Sequence, residues 1–144
     1  MVPSGDHLVP IGKAAVQRAG RDLTLVSVGA ALLTALAAAE LLAAEGVDLE
    51  VIDPRTLAPL DVPTIVQSVA ETGRLVTVEE APITHGFGSE IVARVCERAF
   101  STRRAARRRV AAVDVPIPHN GALERAALPR VDRLADTIRA TLRA

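Results

Sequence analysis

Apolar runs and helical stripes alternate along the chain at regular intervals. Leu23 to Val28 is a continuous apolar and β-branched run, the mark of a strand covered on both faces, and Gly29 ends it. Ala30 to Glu45 is rich in Ala, Leu and Glu, the best helix formers, and Gly46 sits where a left-handed stop is expected. Leu49 to Ile52 reads as the next strand, left through Asp53-Pro54-Arg55. Ala58-Pro59 blocks helix until Asp61, which caps a helix over Val62 to Glu71 with Pro63 tolerated in the first turn. Leu60 can staple onto Ile65, and Thr72-Gly73 stops that helix.

The stretch from Arg74 to Phe100 organises the rest. Leu75 to Val78 forms a short strand with Glu79 and Glu80 at its end. Ala81-Pro82 are expected to break it, because proline has no amide hydrogen for a sheet ladder. Gly86 and Gly88 are expected to let the backbone turn tightly. Ser89 is the expected cap of the following helix, in which Ile91, Val92, Val95, Cys96 and Ala99 share a buried face. Val110 to Val113 reads as a further strand, DVPIPHN (114–120) as a loop, and Leu123 to Leu128 as a helical turn. Pro129 starts a last helix, with Val131, Leu134, Ala135, Ile138 and Leu142 on one face. Ile11 to Arg18 fits either an edge strand or an extended arm.

Strands therefore alternate with helices. Short right-handed crossovers turn that order into an α/β fold: three layers, α/β/α, around a mostly parallel sheet of about five strands. Residues 1–10 are polar with two prolines and read as a linker from a missing N-terminal domain, which leaves 11–144 as one domain.

Composition narrows the chemistry. Lys+Arg and Asp+Glu are both 17, so a generic polyanion binder is disfavoured. There is no Trp or Tyr and there are only two Phe, so bases have no aromatic platform to stack on. Cys96 is the single cysteine; a reducing cytoplasm and a packed thiol are the expected readings. The N-terminus lacks the charged and apolar regions of a signal peptide, and Ala30–Ala44 is too short to span a bilayer.

The candidate chemical groups have modest signals. Gly86-x-Gly88-Ser89 could hold an anion at a helix start, but lacks the lysine of a phosphate loop. His85 near Glu79 and Glu80 could form an acid–base pair, but no nucleophile completes a triad, so a loop or interface contact is favoured. His7, His85 and His119 lack metal-ligand spacing. Five of the seven residues from Arg103 to Arg109 are arginine. A solvated edge or partner-docking strip is favoured there over a nucleic-acid site. Asp53 and Arg55 are favoured as a local turn pair over a ribose site.

Four segments together carry a resemblance: IGKAAVQRAGRDLTLVSVGA, EVIDPRTLAPLD, GRLVTVEEAPITHGFGSEI and AAVDVPIPHNGALERAALP. In order and spacing they resemble the C-terminal domain of the β subunit of thiamine-dependent 2-oxo acid dehydrogenases, the E1 component of the pyruvate and branched-chain complexes. Transketolase and deoxyxylulose-phosphate synthase share the fold, the PLD signal and the E…GFG signal. LERAALP after the proline-rich loop points towards the E1 β subunit, and EEAPITHGFGSEI is nearer the branched-chain type.

The resemblance implies an assembly role. In that family thiamine diphosphate and Mg belong to the full E1 assembly, held by parts this chain lacks, so the chain is expected to bind neither and to have no catalytic residues of its own. It is also expected to begin at a domain boundary. The implied partners are the E1 α subunit, a second β subunit and the small subunit-binding domain of the E2 acyltransferase. His85, Gly86, Phe87, Arg103 and Arg104 are the expected interface residues. One departure stands out. Where the family commonly has Leu, an acidic residue, Ala and Pro, this chain has Arg103-Arg104-Ala105-Ala106, and an arginine at 104 would repel a basic E2 domain.

Overall fold

The computed structural model describes residues 5, 6, 8–102 and 104–144. A five-stranded sheet lies between two helical layers. In chain order the strands are β1 (Ala15–Arg18), β2 (Leu23–Ser27), β3 (Leu49–Asp53), β4 (Leu75–Pro82) and β5 (Arg108–Ala112). The helices are α1 (Ala31–Ala43), α2 (Val62–Thr72), α3 (Phe87–Ala99), α4 (Gly121–Ala127) and α5 (Val131–Leu142). The spatial order is β1-β3-β2-β4-β5. The pairs β3–β2, β2–β4 and β4–β5 are parallel, and β1 lies antiparallel on β3. The expected three-layer α/β/α architecture with a mostly parallel sheet is therefore what the chain adopts.

Period-two alternation sorts the core. Leu23 and Leu25 of β2 and Val76 and Val78 of β4 join Val110, Leu134 and Ile138 beneath α1 and α5. Val26, Ile52 and Leu75 face the other way, onto Ile65 and Val69 of α2 and Ile91 and Val95 of α3. Thr24 also faces α2, where it shares hydrogen bonds with Ser68 at 2.6 Å and Thr72 at 2.8 Å. Buried hydroxyls satisfied in this way fix α2 in one register on β2. Leu60 packs against the cluster that holds Ile65, as a staple should.

The segment from Ile11, which fitted either an edge strand or an extended arm, forms a short antiparallel edge strand, β1. Three elements differ from expectation. β4 continues through Ala81-Pro82. A register shift between Val78 and Pro82 brings Pro82 opposite Ala112, and the next amide, Ile83 N, donates to the Ala112 carbonyl at 2.9 Å. Pairing thus resumes without a proton from the proline. β5 starts two residues early, so Arg108 and Arg109 are strand residues. Pro129 lies before α5, whose N-cap is Arg130.

Asp61 joins the entry of the chain to α2. Its Oδ1 accepts from Thr64 N at 3.4 Å, while Oδ2 accepts from Thr64 Oγ1 at 2.9 Å and from Ala14 N at 3.1 Å. Burial pushes this carboxyl up, but the bonds from Ala14 and Thr64 outweigh it and hold it below its usual 3.8. Asp61→Ala should lower stability by about 1–2 kcal/mol and speed amide exchange at Ala14. Because the folded pKa is depressed, this contribution is present above 3.8 and is lost as pH falls through the folded value. Urea midpoints of wild type and variant should therefore converge in acid; a constant gap would contradict the assignment.

Candidate functional site

Glu79 is at the centre of the carboxyl end of β4. Its side chain points beneath α3 and the residue is 1 % exposed. Oε1 accepts from Gly88 N at 2.7 Å, and the Phe87 amide adds a second bond. The carboxylate thus takes up free amides of the α3 first turn and faces its positive dipole end. Here the expectation is corrected. α3 starts at Phe87 with Gly86 as N-cap, and Ser89 is not the cap; its hydroxyl donates to the Gly86 carbonyl at 2.6 Å. The cap comes from seven residues upstream, on a strand.

The glycines are needed for space, not for torsion. Gly86 has φ −63°. A Cβ there would lie 2.5 Å from the Pro82 carbonyl oxygen and 2.7 Å from Glu79 Oε1. A Cβ on Gly88 would lie 2.5 Å from Thr77 Oγ1 and 2.6 Å from Glu79 Oε1. The residue with the left-handed backbone is His85, at φ 60°.

The loop that carries His85 is tied at both flanks. Asp114 accepts from Thr84 N at 3.0 Å and from Thr84 Oγ1 at 2.6 Å, and these bonds hold its carboxyl below the usual range. Arg109 Nη1 donates to the Ile83 carbonyl at 2.8 Å, and its charge also reaches Glu79 and Asp114. Burial pushes the Glu79 carboxyl above its usual 4.5; the bonds from Gly88 and Phe87 and the Arg109 charge oppose this without cancelling it.

The sequence-derived site residues separate. His85 is exposed at the loop tip. Gly86 is buried, and Phe87 is half-buried against the α2/α3 core. Arg104 lies at the opposite end of β4, where its amide donates to the Gly73 carbonyl at 2.9 Å and its side chain lies against Gly73. Arg103 falls outside the described residues. His85 is not brought into hydrogen-bond contact with Glu79 or Glu80; Glu79 is committed to α3 and Glu80 is exposed.

The arginine run is not one solvated strip. Arg107 Nη2 donates to the Ala99 carbonyl at 2.6 Å and so caps the C-terminal end of α3. Arg109 pins the His85 loop. Arg108 is exposed beside Arg130 and Arg133. Cys96 is half-buried at the margin of the core that takes Ile91, Val95 and Ala99. Asp53 and Arg55 do form a turn pair, with Arg55 N donating to Asp53 Oδ1 at 2.8 Å. They line a cleft of about 550 Å³ with Val9, Val28 and Gly29. Among the described residues no group of three His, Cys, Asp or Glu side chains could hold a metal ion. Glu79, Arg109 and Asp114 were missed as a unit. The available signal was a glutamate seven residues before G-F-G.

What the geometry defines is an open α/β domain whose carboxyl-end loops are locked in place and present a surface. The transketolase C-terminal domain model matches residues 12–134, and the chain belongs to that family. It is 46 % identical over 135 residues to the pyruvate dehydrogenase E1 component subunit beta of Rhizobium meliloti, covering 94 % of this chain and 29 % of that protein. The mitochondrial counterpart of Drosophila melanogaster is 48 % identical over 143 residues, covering 99 % and 38 %. A solved structure titled split gene transketolase, inactive beta4 tetramer superposes with TM-score 0.82 at 29 % identity, covering 99 % of this chain and 46 % of that one. The chain thus spans less than half the length of these relatives.

Gly88→Ala should cost about 1–3 kcal/mol, since neither Thr77 nor Glu79 can move into solvent. Glu79 gives a pH signature. Its folded pKa is raised, so folded chains hold the proton over a range where unfolded chains have lost it. Stability should fall as pH rises from 4.5 through the folded value. Glu79→Gln should remove that part of the slope in urea titrations; an unchanged slope would assign it elsewhere.

Proposed function

We propose that this chain is the C-terminal assembly domain of an E1 β-type subunit and takes part in oxidative decarboxylation of a 2-oxo acid, pyruvate or a branched-chain one, only within the larger assembly. The observation that carries the reading is the match itself. Nearly all of this chain aligns with subunits named pyruvate dehydrogenase E1 beta, at 46 % and 48 % identity. The site is consistent with it: Glu79 Oε1, Arg109 and Asp114 are bonded to the amides and carbonyls that shape the loops.

In this reading thiamine diphosphate and Mg supply the decarboxylation chemistry from neighbouring polypeptide. The partners are an E1 α subunit and a second β subunit. The E2 acyltransferase is a further candidate partner, and Arg104, where the family commonly has an acidic residue, would repel its usual basic contact. The cytoplasm is the proposed compartment. A non-catalytic protein- or RNA-interaction module built on Arg103–Arg109 is the weaker reading, since Arg107 and Arg109 are bonded inside the fold.

Two measurements test the proposal. Calorimetry of the isolated chain with thiamine diphosphate and Mg²⁺ should give no binding heat, whereas tight binding would overturn it. Co-expressed with an E1 α subunit and the remaining part of an E1 β subunit, the chain should co-purify. His85→Asn keeps a residue that tolerates the left-handed backbone; it should leave Tm unchanged and weaken that co-purification.

A further inference from the structure

Glu79 and Glu80 part company at the end of β4. Glu79 turns beneath α3, where its Oε1 is bonded. Glu80 continues the alternation of Val76 and Val78, which face α1 and α5, and it is exposed. It lines a cleft of about 500 Å³ with Thr34 of α1, Arg125 of α4 and Arg130. Ala126, Leu128 and Pro129 give the cleft an apolar wall. The side chains of Thr34, Glu80 and Arg125 make no hydrogen bond or ion pair among the described residues, although they come from three separate elements. Arg130 gives one Nη to Asp132 and keeps its other donors. Ser27, on the same face of β2 as Leu23 and Leu25, has a buried hydroxyl without a partner. The place is also distinctive. At the carboxyl ends of β2 and β4 the crossovers diverge, because α1 leads from β2 to β3 and α3 leads from β4 to β5 on the other side. Open parallel sheets hold their ligands at such a divergence.

We propose that this cleft binds a small aliphatic zwitterion, an α-amino acid. Arg125, helped by Arg130, holds its carboxylate, Glu80 holds its ammonium group, and Leu128, Pro129 and Ala126 take its side chain. The opposite charges on the cleft are the main argument. Glu80 pairs with neither arginine, so a ligand carrying both charges can satisfy them together. A simple anion would leave Glu80 unpaired beside it, and a simple cation would face two guanidinium groups. The Thr34 hydroxyl can donate to the carboxylate or accept from the ammonium group. Apolar walls with a few convergent polar groups are the usual make-up of a small-molecule site. The site belongs to this chain alone and stands or falls apart from the assembly reading.

Titration with L-leucine, followed by proton–nitrogen NMR of the chain, tests this. The amides of Thr34, Glu80 and Ala126 should move together and saturate with a Kd of about 1 mM. 4-Methylpentanoate lacks the ammonium group and 3-methylbutylamine lacks the carboxylate; each should bind at least about tenfold more weakly. Arg125→Ala and Glu80→Gln should each weaken leucine by at least about tenfold. Both residues are exposed and unbonded, so Tm should not change. Arg98→Ala, on the exposed side of α3, should leave leucine binding as it is. In Glu80→Gln, leucine and 4-methylpentanoate should bind alike, a result that loss of packing would not produce. No saturable movement up to about 50 mM leucine would overturn the proposal. Equal binding of leucine and 4-methylpentanoate by the wild-type chain would do the same, as would full leucine binding by Glu80→Gln.

Discussion

A buried carboxylate facing the start of a helix sets the geometry of one whole end of the molecule. Glu79 is out of water, bonded to the Gly88 and Phe87 amides, and near the Arg109 charge. Removing a charge from solvent is costly unless donors replace the water; here the helix supplies them to Oε1, while Oε2 is buried without a partner, and burial pushes the carboxyl up. Everything around it follows from the space it occupies. Gly86 and Gly88 must lack side chains, α3 must begin at Phe87, and the chain between must turn through His85. Thr84 and Ile83 are then placed for Asp114 and Arg109 to hold. The outer loop is therefore ordered from the inside, by one interaction made nine residues along the chain.

The two helical layers do different work. The α2/α3 side contains the polar interior, with the Thr24, Ser68 and Thr72 hydroxyls and Glu79, so its helices sit in one register. The α1/α5 side is aliphatic, and its outer helix carries the same character through to solvent. The chain spans about a third of the length of these relatives, and charge is distributed unevenly over its helices.

Much of the fold was legible because it depends on local patterns. β2 reads as buried on both faces, Asp61 as a cap, Gly46 as a left-handed stop and Gly73 as a helix stop; the two glycines have φ 82° and 71°. What escaped depends on partners distant in sequence. Ser89 looks like a cap until Glu79 arrives from the strand. The prolyl break at Pro82 vanishes because β5 shifts register to meet it. The arginines between 104 and 109 look alike in sequence, yet Arg107 caps a helix and Arg109 pins a loop, distinctions made by strand alternation and the end of α3. His85 and Arg104, both expected at an interface, sit at opposite ends of β4 and so belong to different surfaces.

The sheet's borders have one last consequence. β1 is four residues long with a register irregularity at Val16/Arg18, and on the far side the Arg133 guanidinium donates to the Ala111 carbonyl of β5 at 3.1 Å. Short, kinked or occupied margins resist strand-to-strand growth. Copies of this domain are thus steered away from extending a shared sheet in an open-ended, fibrillar fashion. What the domain leaves open to other chains is helices and loops, where a rotation can close and the number of subunits stays finite.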